Sequence, residues 1–90
     1  PVYAPAAARV LEAGNNEEIG DYLVLDLGND YTVTCGQLKE ITAVQGEYLE
    51  AGQLLGYVAE PTKYYTIEGS NLFLEMRHGD KTVDPLDYLE

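Results

Sequence analysis

At 90 residues the chain has room for one small domain and not for two. Sixteen acidic against five basic residues give a formal net charge of −11, which repels phosphate backbones and anionic headgroups and so excludes nucleic acid and membrane surfaces as partners. A single cysteine, Cys35, excludes an internal disulfide framework and a thiolate zinc cluster.

The acidic residues are spread along the chain, the pattern of a solvated surface rather than of an acidic tail. A hydrophobic fraction of 46% and eight Tyr with no Trp suit a folded, sheet-rich domain. No stretch reaches the roughly 20 apolar residues that span a bilayer, and no signal peptide is recognisable. The chain opens on Pro1 without an initiator Met and is read as a piece of a longer protein.

Short extended segments separated by turn residues predict an all-β domain. Val2-Tyr3 and Arg9-Val10-Leu11 are the first strands, and Ala13 to Glu18 is expected to be a polar loop. Asp21 to Leu27 is the best strand: Leu23, Leu25 and Leu27 fall on one face, with Tyr22, Val24 and Asp26 on the other. Gly28-Asn29-Asp30 reads as a tight hairpin turn, and Tyr31 to Cys35 as the returning strand.

Beyond it, Gly36 to Ile41 is expected to lead into a short strand ending near Val44. Gly46 marks a turn before Tyr48-Leu49, Ala51-Gly52-Gln53 another, and Leu54 to Ala59 the next strand. Pro61 to Gly69 is the most loop-like segment. Asn71 to Arg77 is a strand, His78-Gly79-Asp80 a turn and Lys81-Thr82-Val83 its return. One short C-terminal helical turn is predicted over Pro85 to Leu89, with Asp84 as its N-cap.

Three segments carry a resemblance. They are Pro1-Val2-Tyr3-Ala4-Pro5 with Arg9-Val10; the turn-strand-turn unit Val44-Gln45-Gly46-Glu47-Tyr48-Leu49-Glu50-Ala51-Gly52-Gln53-Leu54-Leu55-Gly56; and Asn71 to Arg77 followed by Asp84-Pro85-Leu86-Asp87-Tyr88-Leu89. In order and spacing, over nearly the whole chain, they resemble the lysostaphin-like, or LytM-type, zinc endopeptidases that cut peptidoglycan cross-bridges. Ala8 stands where that family has Gly. The glycine unit alone is also similar to biotinyl and lipoyl carrier domains, which use such turn pairs for the same steric reason. Neither Lys39 nor Lys63 has the hairpin-tip context a carrier needs, and the closing Asp84-Pro85 segment favours the peptidases.

The resemblance implies an antiparallel sheet sandwich or half-barrel, similar to a duplicated hybrid motif, in a single degenerate peptidase domain over residues 1–90 whose first strands lie upstream. It also implies a site. Zinc ligands come from an early "H-x-x-x-D" strand, which would precede Pro1, and from the second His of a late "H-x-H". The first His of that pair and the His of a "Y-x-H-L" segment support the attacking water.

On this chain those late positions fall on Gln37, Asn71 and Phe73. An amide does not titrate near neutral pH and competes poorly for zinc, and a phenyl ring has no lone pair to donate. No zinc, no other cofactor and no catalytic residue is therefore expected. By alternation Asn71, Phe73, Glu75 and Arg77 share one face, where Phe73 would occlude the cleft, Glu75 with Arg77 would form an ion pair or keep the strand edge soluble, and Glu75 is a candidate groove or partner contact.

Cys35 shares a strand face with Gln37 on this reading and borders the old cleft, or else is a lone buried thiol. Tyr64 and Tyr65 are candidate partner contacts or a lid on the core, and His78 is a solvated turn residue. Degenerate domains of this kind are interaction modules, activating cell-wall amidases or building membrane-tethered assemblies in sporulating cells. The segment Glu60 to Leu72 is similar to the sporulation and cell-envelope members.

The expectation is thus a non-catalytic, extracytoplasmic domain that holds a protein partner or peptidoglycan, anchored to a membrane only through a segment outside these residues. Two alternatives stand beside it. One is an active zinc peptidoglycan endopeptidase whose ligands lie outside the chain, and the other is a biotinyl- or lipoyl-like carrier.

Overall fold

A computed structural model describes residues 1–59 and 73–84. The described residues form eight strands and no helix: β1 (Val2–Tyr3), β2 (Ala8–Asn16), β3 (Gly20–Gly28), β4 (Tyr31–Lys39), β5 (Tyr48–Leu49), β6 (Leu54–Val58), β7 (Phe73–His78) and β8 (Lys81–Val83). The expected helical turn over Pro85 to Leu89, the Tyr64–Tyr65 loop and Asn71 lie outside the described residues. Among the described residues no helix is long and apolar enough to cross a membrane.

Every pairing is antiparallel, and the strand order is β1-β6-β4-β3-β2-β5, with β7 branching from β4 and carrying β8. The sheet curls into a half-barrel, as the resemblance implied. Its curl is held where Ala4, just past β1, meets the turn between β5 and β6: Ala4 N donates to Gln53 O and Gly52 N donates to Ala4 O, each at 2.8 Å.

Residues directly opposite each other in a ladder put their side chains on the same face. Val10, Leu25, Val33, Met76 and Val83 stand opposite one another in succession across β2, β3, β4, β7 and β8. They form the spine of the core, together with Leu23, Leu38, Leu49 and Leu55. Leu27 is half-buried and packs against that core, so the leucine face of β3 is the inward one.

The Gly28-Asn29-Asp30 turn is a two-residue hairpin. Asn29 and Asp30 both have positive φ, 53° and 70°, as a type I′ turn requires, and the Asp26 carboxylate accepts the Gly28 N–H at 2.9 Å. The glycine unit has an equally plain cause. Gly46 and Gly52 adopt φ of 88° and 83°, which side chains resist. Between them Glu47 accepts from Val44 N at 3.0 Å and from Gln53 Nε2 at 3.1 Å, while Gln53 Oε1 accepts Glu50 N at 3.1 Å. The Glu and Gln of this unit therefore serve the turns.

Three sequence expectations about secondary structure need correction. The polar run from Ala13 is not a loop, because β2 continues to Asn16 and only residues 17–19 turn. Asn15 Nδ2 reaches across the ladder to Asp21 at 2.7 Å, and Asn16 Oδ1 accepts Ile19 N at 2.8 Å, so polar side chains close this hairpin. The second concerns β4, which does not end at Cys35 but runs to Lys39. The segment expected as a strand near Val44 is irregular and is tied to β6 through Thr42, whose N–H donates to Leu55 O at 2.9 Å.

Candidate functional site

β4 is the central strand of the site, and its outer edge serves two partners. Residues Tyr31 to Gly36 pair with β7, ending at the opposed pair Gly36 and Phe73, whereas Leu38 and Lys39 pair with β6. The sheet forks between Gly36 and Leu38. Gln37 occupies the fork with a left-handed backbone, φ 61°, and is 1% exposed. Its N–H donates to Ile19 O and its carbonyl accepts Ala59 N, both at 2.6 Å. Gln37 thus ties the β2–β3 turn to the end of β6.

The fork also breaks alternation. From Leu23 opposite Cys35 to Asp21 opposite Leu38, β3 advances by two residues and β4 by three, which is a β-bulge. Period-two counting beyond Cys35 therefore fails, and the expected shared face of Cys35 and Gln37 rests on that counting. Cys35 is 2% exposed and belongs to the core, while its neighbours Thr34 and Gly36 face the other way. Of the two readings for Cys35, the structure places it as a buried thiol and not as a groove contact.

Burial pushes the Cys35 thiol up to about 11. Its ordinary value of 9.0 applies in the unfolded chain, so the folded state holds the proton more tightly between pH 9 and 11. Stability attributable to the neutral thiol is complete below pH 9 and falls as pH rises toward 11, by at most about 2–3 kcal/mol. Cys35→Val is expected to lack this alkaline loss when urea midpoints at neutral and high pH are compared with those of the parent. An identical pH profile in the two proteins contradicts the assignment.

On the outer face of the sheet, Phe73 and Glu75 of β7, Thr34 of β4 and Asn16, Glu17, Glu18 and Ile19 of the β2–β3 turn line a cleft of about 500 Å³. Ile19 lies directly over Gly36: a Cβ on that glycine would sit 2.9 Å from the Ile19 Cβ. The missing side chain at Gly36 is what lets the turn approach the sheet. Phe73 is half-buried and is one of the residues that line the cleft.

Glu75 is half-buried and lines the cleft, and Arg77 Nε donates to it at 3.4 Å, an exposed pair worth about 0–1 kcal/mol. His78 is exposed at the end of β7, with its ring stacked on Tyr31 at 4.1 Å. It lies in a strand end rather than in the turn proper. Lys39 is exposed on β4 opposite Tyr57 of β6, so it is not at a hairpin tip.

Glu17, Glu18, Ile19, Asn16 and Thr34 were not expected in the site. The signal that could have found them is Gly36, which the extension of β4 to Lys39 puts inside a strand, where a glycine indicates close approach of another segment. Phe73 and Glu75 are brought into the cleft, and Gln37 sits at its margin through its bond to Ile19.

The order of strands, the glycine turns and the closing hairpin can be compared with known proteins. The model for peptidase family M23 matches residues 1–85. The chain belongs to peptidase family M23. No curated protein matches it. Among solved structures, this M23 domain is similar to the catalytic domain of the antimicrobial peptidase lysostaphin from Staphylococcus simulans, with 24% identity and a TM-score of 0.83, covering 99% of this chain and 69% of that one.

A mutant catalytic domain of the prophage-encoded M23 protein EnpA from Enterococcus faecalis gives 22% identity and a TM-score of 0.82, covering 98% of this chain and 68% of that one. A structure of the SpoIIIAH and SpoIIQ complex gives 20% and 0.87, covering 97% of this chain and 60% of the matched one. At such identities the likeness is one of fold.

An M23 domain implies zinc, and the residues present can be tested against it. Phe73 offers no donor atom, and Gln37 offers an amide inside the fold. Although three glutamates line the cleft, no group of three His, Cys, Asp or Glu among the described residues is arranged to hold a metal ion. The described donor set does not fit a catalytic zinc.

Proposed function

We propose that this M23 domain is a non-catalytic, peptidase-like module that holds a protein partner within a bacterial cell-envelope or sporulation protein, outside the cytoplasm. The observation that carries the reading is Phe73. Phe73 lines the cleft, and it stands where the resemblance calls for a zinc-ligating His. Gln37 adds a second, independent loss, since its backbone anchors two other segments of the fold and its side chain is an amide. Asn71, outside the described residues, is a third replacement by sequence.

The likeness to a structure of SpoIIQ with SpoIIIAH supports a role in assembly, because that relative is itself seen in a complex, in one case a pore-forming one. Peptidoglycan is the competing ligand, since the similar lysostaphin domain is that of an antimicrobial peptidase. Against the carrier alternative stand the M23 match and the placement of Lys39 on β4, while Lys63 lies outside the described residues.

Calorimetry with zinc tests the reading directly. Neither the parent protein nor Phe73→His is expected to take up zinc saturably, because one restored ligand leaves too few donors converging. Stoichiometric uptake by the parent together with cleavage of purified peptidoglycan overturns the proposal. Tight binding by Phe73→His alone shows that the rest of a zinc site survives and overturns the account of the site given above.

A further inference from the structure

The sheet carries a further hollow at the edge where β2 meets β5. It measures about 280 Å³, and Ala7, Ala8, Arg9, Asp26, Gly28 and Tyr48 are among the residues that line it. The ladder assembles it: Arg9 of β2 stands directly opposite Asp26 of β3 on one side and Tyr48 of β5 on the other, so the three side chains share one face. Three of the other lining residues are alanine or glycine, whose side chains are too small to fill it.

The polar groups of this hollow are uncommitted. Tyr48 is 61% exposed and does not belong to the core. Among the described residues the Arg9 side chain makes no ion pair or hydrogen bond, and neither does the Tyr48 hydroxyl. Asp26 does not pair with the arginine opposite it; its Oδ1 accepts Gly28 N at 2.9 Å, which orients the carboxylate and leaves it lone pairs for a ligand. Singly, an exposed tyrosine or arginine is ordinary surface. Here an aromatic ring, a guanidinium fork and an oriented carboxylate meet in one concavity.

We propose that this hollow binds one neutral sugar ring of an oligosaccharide, with the C–H face of the sugar on the Tyr48 ring and its hydroxyls donating to Asp26 and accepting from Arg9. The proposal does not rest on the reading of the Phe73 cleft and adds a second ligand class at a separate place.

Charge and hydrogen-bonding chemistry choose the class. An anion is repelled by Asp26 and by the net charge of −11, and a cation meets Arg9 at the point of contact. An apolar ligand would strip water from Arg9 and Asp26 and return no hydrogen bond. A peptide group both donates and accepts, but its N–H and C=O point in opposite directions and cannot serve two neighbouring side chains on one face. Neighbouring sugar hydroxyls each donate and accept, so two of them can satisfy a carboxylate and a guanidinium together. The C–H face then gives the tyrosine ring apolar area to cover. The volume, just under that of most small-molecule pockets, suits a single ring with the rest of the oligosaccharide in solvent.

Nuclear magnetic resonance titration of the isotopically labelled chain with three trisaccharides tests this. The probes are the neutral cellotriose, the cationic trimer of glucosamine and the anionic trimer of galacturonic acid. Cellotriose is expected to shift amides of residues 7–9, 26–28 and 48 saturably, with less than about a twofold change in affinity between about 50 and about 300 mM salt. The two charged trimers are expected to bind at least about tenfold more weakly.

Tyr48→Ala and Arg9→Gln are each expected to weaken cellotriose about tenfold. Both side chains are exposed, so the variants keep the fold, which their amide spectra check. Arg9→Lys keeps the charge without the fork and should weaken it as well. Shifts that do not saturate, or an affinity unchanged in Tyr48→Ala, overturn the site. Tighter binding of the anionic trimer, falling steeply with salt, overturns the ligand class and makes Arg9 an anion contact. Saturable shifts confined to residues 16–19 and 73–75 place the sugar in the other cleft and overturn the location. None of these results bears on zinc uptake, which tests the proposed function separately.

Discussion

Replacing Leu25 with alanine is expected to lower stability by about 2–5 kcal/mol. Leu25 is completely buried at the middle of the β3 strand, opposite Val10 on one side and Val33 on the other, with Met76 one strand further on. A cavity there is bounded by strands whose ladders hold them at fixed spacing, so its walls cannot move in to refill it. Domains have only about 5–15 kcal/mol of net stability, and a chain this short buries proportionally less than most.

The variant should therefore be partly unfolded at moderate urea concentrations where the parent is intact. Leu27→Ala provides the internal comparison. Leu27 is half-buried at the rim of the same face, so its loss should cost clearly less. Equal losses for Leu25→Ala and Leu27→Ala, or a loss below about 1 kcal/mol at Leu25, contradict the assignment of the core.

Gly36→Ala is the second large effect, about 1–3 kcal/mol. Its added Cβ would stand 2.9 Å from the Ile19 Cβ, 3.1 Å from the Ile19 carbonyl oxygen and 3.2 Å from Ile19 Cδ1. The carbonyl cannot retreat without lengthening the 2.6 Å bond that it accepts from Gln37 N. Shortening the neighbour to Ile19→Ala removes Cδ1 but leaves the Cβ and the carbonyl, so the double variant should stay destabilised.

The same substitution reaches the cleft, because the turn pushed outward carries Glu17 and Glu18. Amide resonances of residues 16–19 should move in Gly36→Ala even under conditions where the protein remains folded. Full rescue by Ile19→Ala would mean that the clash lies at the flexible end of the isoleucine and that the turn is free to adjust.

Much of the fold was legible because its signals are local. The leucine alternation of β3, the type I′ residues Asn29 and Asp30, and the glycines at 46 and 52 each state their own conformation within a few positions, and the structure bears them out. The spacing of those turns, with the closing Asp84-Pro85 segment, sufficed to place the chain among the M23 peptidases. The absence of histidine at 37, 71 and 73 was equally plain.

What could not be read is everything that depends on a partner distant in the chain. Asn15 and Asn16 look like loop residues until Asp21 and the Ile19 N–H are brought opposite them. Counting by twos puts Cys35 and Gln37 on one face, but a bulge changes the count, and the bulge exists because β4 must leave β7 and join β6.

The cleft shows the same division. From the sequence alone came the residue types at positions 37, 71 and 73, an amide, an amide and a phenyl ring, none of which has the donor chemistry of imidazole. That Phe73 lines a cleft together with three glutamates was decided by the tertiary structure. Side chains from the β2–β3 turn, β4 and β7 meet there only because the strands are laid in register, and register is a property of the paired sheet rather than of any one strand.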